Sequence, residues 1–418
     1  MYIKLFKSFL CFIFVGTLYS ETTLIENATI YDGIKNIPFQ GNILIENDTI
    51  KKVSSAKMQA DFVIDASGMI VTPGIIGTDT NIGIVEIGAL SVTRDDSSEI
   101  YSIGFSIHDA FNPKSTLIPW NRSNGVTSAL SLPQGTASPI GGLGSFFVLD
   151  GEHDITSKKD IVMIGGVGGS GSSSRAETFA VMDDLLSFAS GLNGADLDDI
   201  SETIEKSPIA EFMELHPRDV KALSRLVNNN LPLIISTHRA SDILKLIELK
   251  EKYDLNLIIK GAQDASLVAP QIAASGIPLI INPINNIPGS FDELASNIQM
   301  ASRLEEKGIN LMFNTPRSHN FHLVRQGAGV AVANGMSYEG AIKAITSTPA
   351  KVFNIDKRGE IKAGYFADIV VWDADPLEPS SMPEYLFING KSIDLTSRSS
   401  RLRDRYTSQP DKPNTYRN

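Results

Sequence analysis

The chain has 418 residues, 20% charged and 42% hydrophobic, with 33 Gly and 20 Pro. This ordinary globular composition excludes a collagen, a disordered chain and a disulfide-rich miniprotein. Its 37 Lys and Arg against 48 Asp and Glu give a net charge of −11, the wrong sign for a broad phosphate-binding surface, so nucleic acid is not an expected partner. At ~150 residues per domain the length fits two or three units, or one α/β barrel that uses most of it.

Residues 1–20 carry Lys4 and Lys7, an apolar stretch over 9–15, and then Gly16, Thr17 and Ser20. That order reads as a secretory signal: a basic start, an apolar run too short to span a bilayer, and a small residue before a cleavage point. The alternative is an uncleaved N-terminal anchor. Cleavage would remove two lysines and no acid, taking the charge from −11 to −13. It would also remove the single cysteine, Cys11, so the mature chain could form no disulfide and use no thiolate. The expected location is outside the cytoplasm, with no membrane partner for the mature form.

From 23 to 64 the sequence alternates in short strand-like runs (24–25, 28–31, 42–46, 62–64) broken by turns such as Asp32-Gly33, which predicts a small β module. A comparable stretch returns near the other end: Asp368-Ile369-Val370-Val371-Trp372 and Leu386-Phe387-Ile388, closed by Asn389-Gly390. The two half-modules are expected to share one unit. Between them, apolar runs at 232–235, 255–259, 277–281 and 309–313 read as strands buried on both faces, separated by helical stretches such as 241–252 and 291–307. The pattern is α/β. Strand starts about 22 to 32 residues apart suit a barrel of βα units and a doubly wound sheet nearly equally. The tail, 396–418, is rich in Arg, Ser, Asp and Pro and is expected to be disordered or draped on the surface.

The joints between these regions carry a family resemblance. The run 63–77, with Asp65-Ala66-Ser67-Gly68 and Thr72-Pro73-Gly74, resembles the passage from N-terminal sandwich into first barrel strand in the amidohydrolase superfamily. Thr348-Pro349-Ala350, Gly359-Glu360-Ile361-Lys362-Ala363-Gly364, Ala367-Asp368-Ile369-Val370-Val371-Trp372 and Asp375-Pro376-Leu377 resemble that family's return from barrel to sandwich. Asp109-Ala110-Phe111-Asn112-Pro113, Asn124-Gly125-Val126-Thr127, His238-Arg239-Ala240-Ser241-Asp242 and His319-Asn320 resemble its exported, imidazolonepropionase-like branch. The resemblance implies a TIM-like (β/α)8 barrel over 73–355 and a small β-sandwich built from 21–72 and 356–392, followed by a polar tail at 393–418. It also implies hydrolysis of a C–N bond in a small molecule such as a cyclic amide or imidazolone. The runner-up is a non-catalytic binding protein on the same fold. A second copy of the chain is a further partner compatible with this reading.

Family members carry H-x-H at the end of the first barrel strand and depend on a divalent metal, usually zinc. Here Asp79-Thr80-Asn81 stands in that place. Asp79, Asn81 and His238 occupy ligand positions, Lys260-Gly261-Ala262 replaces a second histidine, and Asn314-Thr315-Pro316 lacks the aspartate that shuttles protons. One imidazole and one carboxylate fall short of the three protein ligands of catalytic zinc. The expectation is therefore a mouth with less than stoichiometric zinc, in which Asp79 and His238 act as acid or base and Lys260 holds a substrate anion. Arg239, His319 and Asn320 are the expected substrate contacts.

Two other motifs are set aside. Gly166-Val167-Gly168-Gly169-Ser170-Gly171 fits G-x-G-x-x-G, but the acidic residue ~20 positions on falls inside a helical stretch rather than at a strand end. With five Gly and four Ser in 165–174, the segment reads better as a mobile loop over the mouth. No G-x-S-x-G elbow supports a serine nucleophile.

Overall fold

The computed structural model describes residues 21–135, 138–168, 174–192 and 200–407. The expected leader, residues 169–173 of the glycine-rich stretch and the tail beyond 407 lie outside the described residues.

The N-terminal alternation becomes β1 (Thr22–Ile30), β2 (Phe39–Glu46), β3 (Thr49–Ser54), β4 (Phe62–Asp65) and β5 (Ile70–Pro73). Eight further strands follow: β6 (Ile75–Thr80), β7 (Val126–Ser131), β8 (Ile140–Val148), β9 (Ser157–Gly166), β10 (Leu233–Thr237), β11 (Leu257–Gly261), β12 (Leu279–Ile281) and β13 (Leu311–Phe313). The chain closes with β14 (Ile369–Trp372), β15 (Pro383–Ile388) and β16 (Lys391–Ser392).

Both chain ends build one eight-stranded sheet, ordered β16-β15-β14-β5-β1-β2-β3, with β4 beside β1. β14 pairs antiparallel with β5, Val371 opposite Val71. The sandwich expected from the resemblance is thus a single sheet, because β1 pairs in parallel with β4 along its first half and with β5 along its second and so joins what would be two layers. Residues 364–367 bond back to 48–50, Ile50 N donating to Tyr365 O at 2.8 Å. β14 is apolar throughout because it serves two cores. Ile369 and Val371 lie in the small core with Ile25, Ile43 and Phe387, while Val370 and Trp372 join the barrel core, as the two-residue period of a strand requires. Trp372 Nε1 donates to Thr72 Oγ1 at 2.9 Å, and its ring lies where a Cβ on Gly125 would stand, at a backbone φ of +90° that also favours glycine.

The second sheet runs β13-β12-β11-β10-β9-β8-β7-β6 and forms a nearly closed barrel. It departs from a regular (β/α)8 barrel at β8, which is antiparallel to both neighbours. The connections 132–139 and 149–156 are too short for the crossover of about a dozen or more residues that parallel pairing demands. The helix Ala240–Tyr253 follows β10 as expected. The expected helix over 291–307 is cut to Met300–Glu305. Before it, Ser290 Oγ accepts from Asp292 N, Glu293 Oε2 from Gly289 N and Asp264 Oδ1 from Ala295 N, and such side-chain bonds to backbone compete with helix. In the tail, Arg398–Thr407 is a helix with no buried residue, which fits a surface segment. No helix among the described residues is long and apolar enough to cross a membrane.

Candidate active site

In a barrel of this kind the C-terminal strand ends and the loops after them form the mouth where chemistry is placed. Asp79 sits near the end of β6, and its buried carboxylate meets side chains from two distant parts of the barrel. Lys260 Nζ, on β11, lies 3.2 Å from Oδ2. Arg317 Nε, four residues past β13, lies 3.0 Å from Oδ1, although its N–H is turned off the oxygen, so this contact is an ion pair without a hydrogen bond. Asn314 Nδ2 donates to Oδ2 at 3.1 Å. Burial alone pushes the Asp79 carboxyl up, but the Lys260 and Arg317 charges and the Asn314 hydrogen bond outweigh it and hold the group below its ordinary value.

The same contacts close the barrel. β6 and β13 are the two ends of the sheet, and the seam between them is bridged by Thr78 Oγ1 donating to Phe313 O at 2.9 Å, by Asn81 N donating to Arg317 O at 3.2 Å and by Asn314 on Asp79. Arg317 Nη2 also reaches Leu132 O at 2.7 Å and Thr80 O at 3.3 Å.

His238 directly follows β10. Its ring packs over Gly261, whose φ of +91° and lack of Cβ leave the space: an added Cβ would stand 2.6 Å from the imidazole. His238 Nδ1 is 3.8 Å from Glu293 Oε1, too far for a hydrogen bond, and has no partner. Glu293 belongs to the loop 282–299, which is pinned by Arg175: this residue pairs with Asp292 at 2.5 Å and with Asp242 at 2.7 Å.

Of the residues expected at the site, the structure joins Asp79 to Lys260 and sets His238 at the neighbouring strand end. Asn81 is held by its backbone, while its side-chain Oδ1 is buried without a partner. Arg239 is exposed at the start of the helix Ala240–Tyr253. His319 is also exposed, and its carbonyl accepts from Trp120 Nε1 and His322 Nδ1. Asn320 opens the short turn Phe321–Leu323 without a side-chain cap. The loop after β13 enters the cluster through Asn314 and Arg317 instead. Arg317 and Glu293 were not picked out from sequence. A basic residue three positions past the expected aspartate was the available signal for the first, while Glu293 lay hidden in an expected helix.

The donor set does not fit a divalent metal. Both Asp79 oxygens face cations, the Asn81 oxygen is a weak neutral ligand, and among the described residues no group of three or more His, Cys, Asp or Glu is placed to hold an ion.

The barrel and the two-ended sheet define the class of fold, and comparison with known proteins extends it. A sequence model described as the amidohydrolase family matches residues 190–394. The chain is 24% identical over 427 residues to amidohydrolase tasK of Hapsidospora irregularis, covering 88% of this chain and 43% of that protein, so it spans less than half of that relative. It is 21% identical over 383 residues to a 5-methylthioadenosine/S-adenosylhomocysteine deaminase of Dictyoglomus turgidum, covering 83% of this chain and 84% of that one. The fold is shared with an amidohydrolase from Thermotoga maritima, with a TM-score of 0.75 at 24% identity over 89% of this chain and 99% of that one. A prolidase complexed with N-methylphosphonate-L-proline shares it at a TM-score of 0.55 and 14% identity, over 89% and 99% of the two chains. The chain is thus similar to amidohydrolases in sequence over its C-terminal half, and shares their fold.

Proposed function

We propose that the chain hydrolyses a C–N bond of a small amide-like substrate, such as a cyclic amide or imidazolone, at the C-terminal mouth of its barrel. The observation that carries this reading is where the buried polar atoms without a partner gather. Among the described residues, eleven buried side-chain atoms lack a hydrogen bond, and six of them lie at the ends of barrel strands or just beyond: Asp79 Oδ1, Asn81 Oδ1, Thr237 Oγ1, His238 Nδ1, Gln263 Oε1 and Arg317 Nε, the first and last of which face each other as an ion pair. An unpaired buried polar group costs about 1–3 kcal/mol, so the gathering of Asn81, Thr237, His238 and Gln263 at one end of the barrel fits a place completed by a polar ligand and water. The superfamily supports the reaction class, and amide hydrolysis and deamination both break a C–N bond.

The chemistry follows from the arrangement. The imidazole of His238 takes the proton of the attacking water and returns it to the leaving nitrogen as the C–N bond breaks, and Glu293, on the Nδ1 side, balances the imidazolium held between the two transfers. The Lys260 ammonium has three N–H groups and one carboxylate oxygen beside it, which leaves donors to polarise the substrate carbonyl. Asp79, held ionised between two cations, anchors Lys260 rather than exchanging protons. The imidazolonepropionase-like branch and action outside the cytoplasm belong to the same proposal. The branch rests on the motif at His238, and the location rests on the leader-like residues 1–20.

A panel of cyclic amides, imidazolones and N-acyl amino acids assayed with the mature protein tests the reading. Turnover is expected, and His238→Ala should lower kcat about 10²- to 10⁴-fold while the fold, read by circular dichroism, persists. A panel without turnover, or turnover unchanged in His238→Ala, overturns it.

A further inference from the structure

We propose that the Asp79, Lys260 and Arg317 cluster does inside this barrel what a resident divalent cation would do: it ties separate strands together by charge at the mouth, so that the protein neither holds nor needs a metal there. The proposal stands independently of the reaction assigned above.

Three observations carry it. The cluster draws its members from β6, β11 and the loop after β13, and β6 and β11 are not neighbours in the sheet. The Asp79 to Lys260 pair therefore links two strands that share no backbone bonds. The partners also fall on the seam. β6 and β13 have no ladder between them, and what joins them is Thr78 to Phe313, Asn314 to Asp79, and Arg317 to Asp79, Thr80 and Asn81. Finally, the charges exclude a rival. One carboxylate beside an ammonium and a guanidinium leaves the cluster net positive, and a dication at Asp79 would meet two like charges within ion-pair distance of its only carboxylate. A strand-linking metal needs several anionic or imidazole donors turned to one point, whereas here they are turned to protein cations.

The test uses the full mature chain, purified without chelator and without added metal. Metal analysis should find less than about a tenth of a divalent ion per chain, and neither EDTA nor roughly 100 µM zinc, enough to saturate a real site, should shift the melting temperature. Hydrogen exchange should then rise about tenfold or more in peptides covering 75–80 and 311–313 in Asp79→Asn and in Arg317→Met. Stoichiometric metal that leaves with EDTA and lowers the melting temperature overturns the proposal, as does seam exchange that is unchanged in both variants. Should either variant fail to fold, Lys260→Met, which keeps the seam contacts and removes only the tie from β6 to β11, should raise exchange about tenfold in the peptide covering 257–261, and exchange unchanged there overturns the proposal.

Discussion

Two of the buried carboxylates held by cations, Asp368 and Asp79, are built to different standards. In the composite sheet, Arg358 and Asp368 are each only 4% exposed and are joined directly. Asp368 Oδ1 accepts from Asn389 N at 2.9 Å, Arg358 Nη2 donates to Asn389 Oδ1 at 2.7 Å, and the guanidinium lies 4.4 Å from the centre of the Phe366 ring. At the mouth, Asp79 is as deeply buried, but its cations are not: Lys260 is 25% and Arg317 27% exposed, and one oxygen and one nitrogen of the cluster lack a hydrogen bond. A network that only has to hold strands together saturates its donors and acceptors. One that faces a ligand keeps some in reserve.

The difference predicts an order of effects. Arg358→Met leaves Asp368 buried without its cation and should destabilise the protein most, by about 3–5 kcal/mol, measured by urea unfolding. A loss below that of the mouth variants would break the comparison. Asp79→Asn should cost less, about 1–3 kcal/mol, because its two cations reach water, yet it should remove turnover by releasing Lys260. Activity that survives it would sink the assigned anchoring role.

Acid titration sharpens the same contrast. Because the folded Asp79 carboxyl lies below its unfolded value near ~3.9, the unfolded chain binds the extra proton between the two. Its stabilisation is present above that unfolded value and is lost as pH falls through the lower folded one. Stability measured from pH 6 down to 3 should therefore fall less steeply at its acid end in Asp79→Asn than in the native chain. Smallest of all is Lys158→Ala. This lysine meets Asp356 at 2.7 Å on the surface, and a melting curve should register about 0.5 kcal/mol or less.

What could be read from sequence follows the range of the signal. β10 to β13 announced themselves as apolar runs because a strand covered on both faces has no polar side to show. Ile369-Val370-Val371-Trp372 pointed to a shared unit for the same reason, its two faces serving two cores. The inverted β8 escaped notice, since Gly141-Gly142 and Gly144 dilute the apolar run and strand direction is fixed by loop length rather than by side chains. At the site, Asp79, His238 and Lys260 were legible as strand-end residues. Arg317 and Glu293 were not, because they arrive from loops whose path depends on tertiary contacts: Arg317 on the carbonyls of Thr80 and Leu132, and Glu293 on the clamp that Arg175 makes with Asp292.

The composite sheet also sets a clock on biosynthesis. Thr72 on β5 waits for Trp372, a hydrogen-bond partner 300 residues later. At ~5–20 residues per second, β5 spends roughly 15–60 s with its β14-facing edge uncovered while the barrel is still being made. An emerging chain in that state presents a bare strand edge to any other nascent chain nearby. The demand this places on chaperones comes from the order of synthesis and not from the stability of the finished fold.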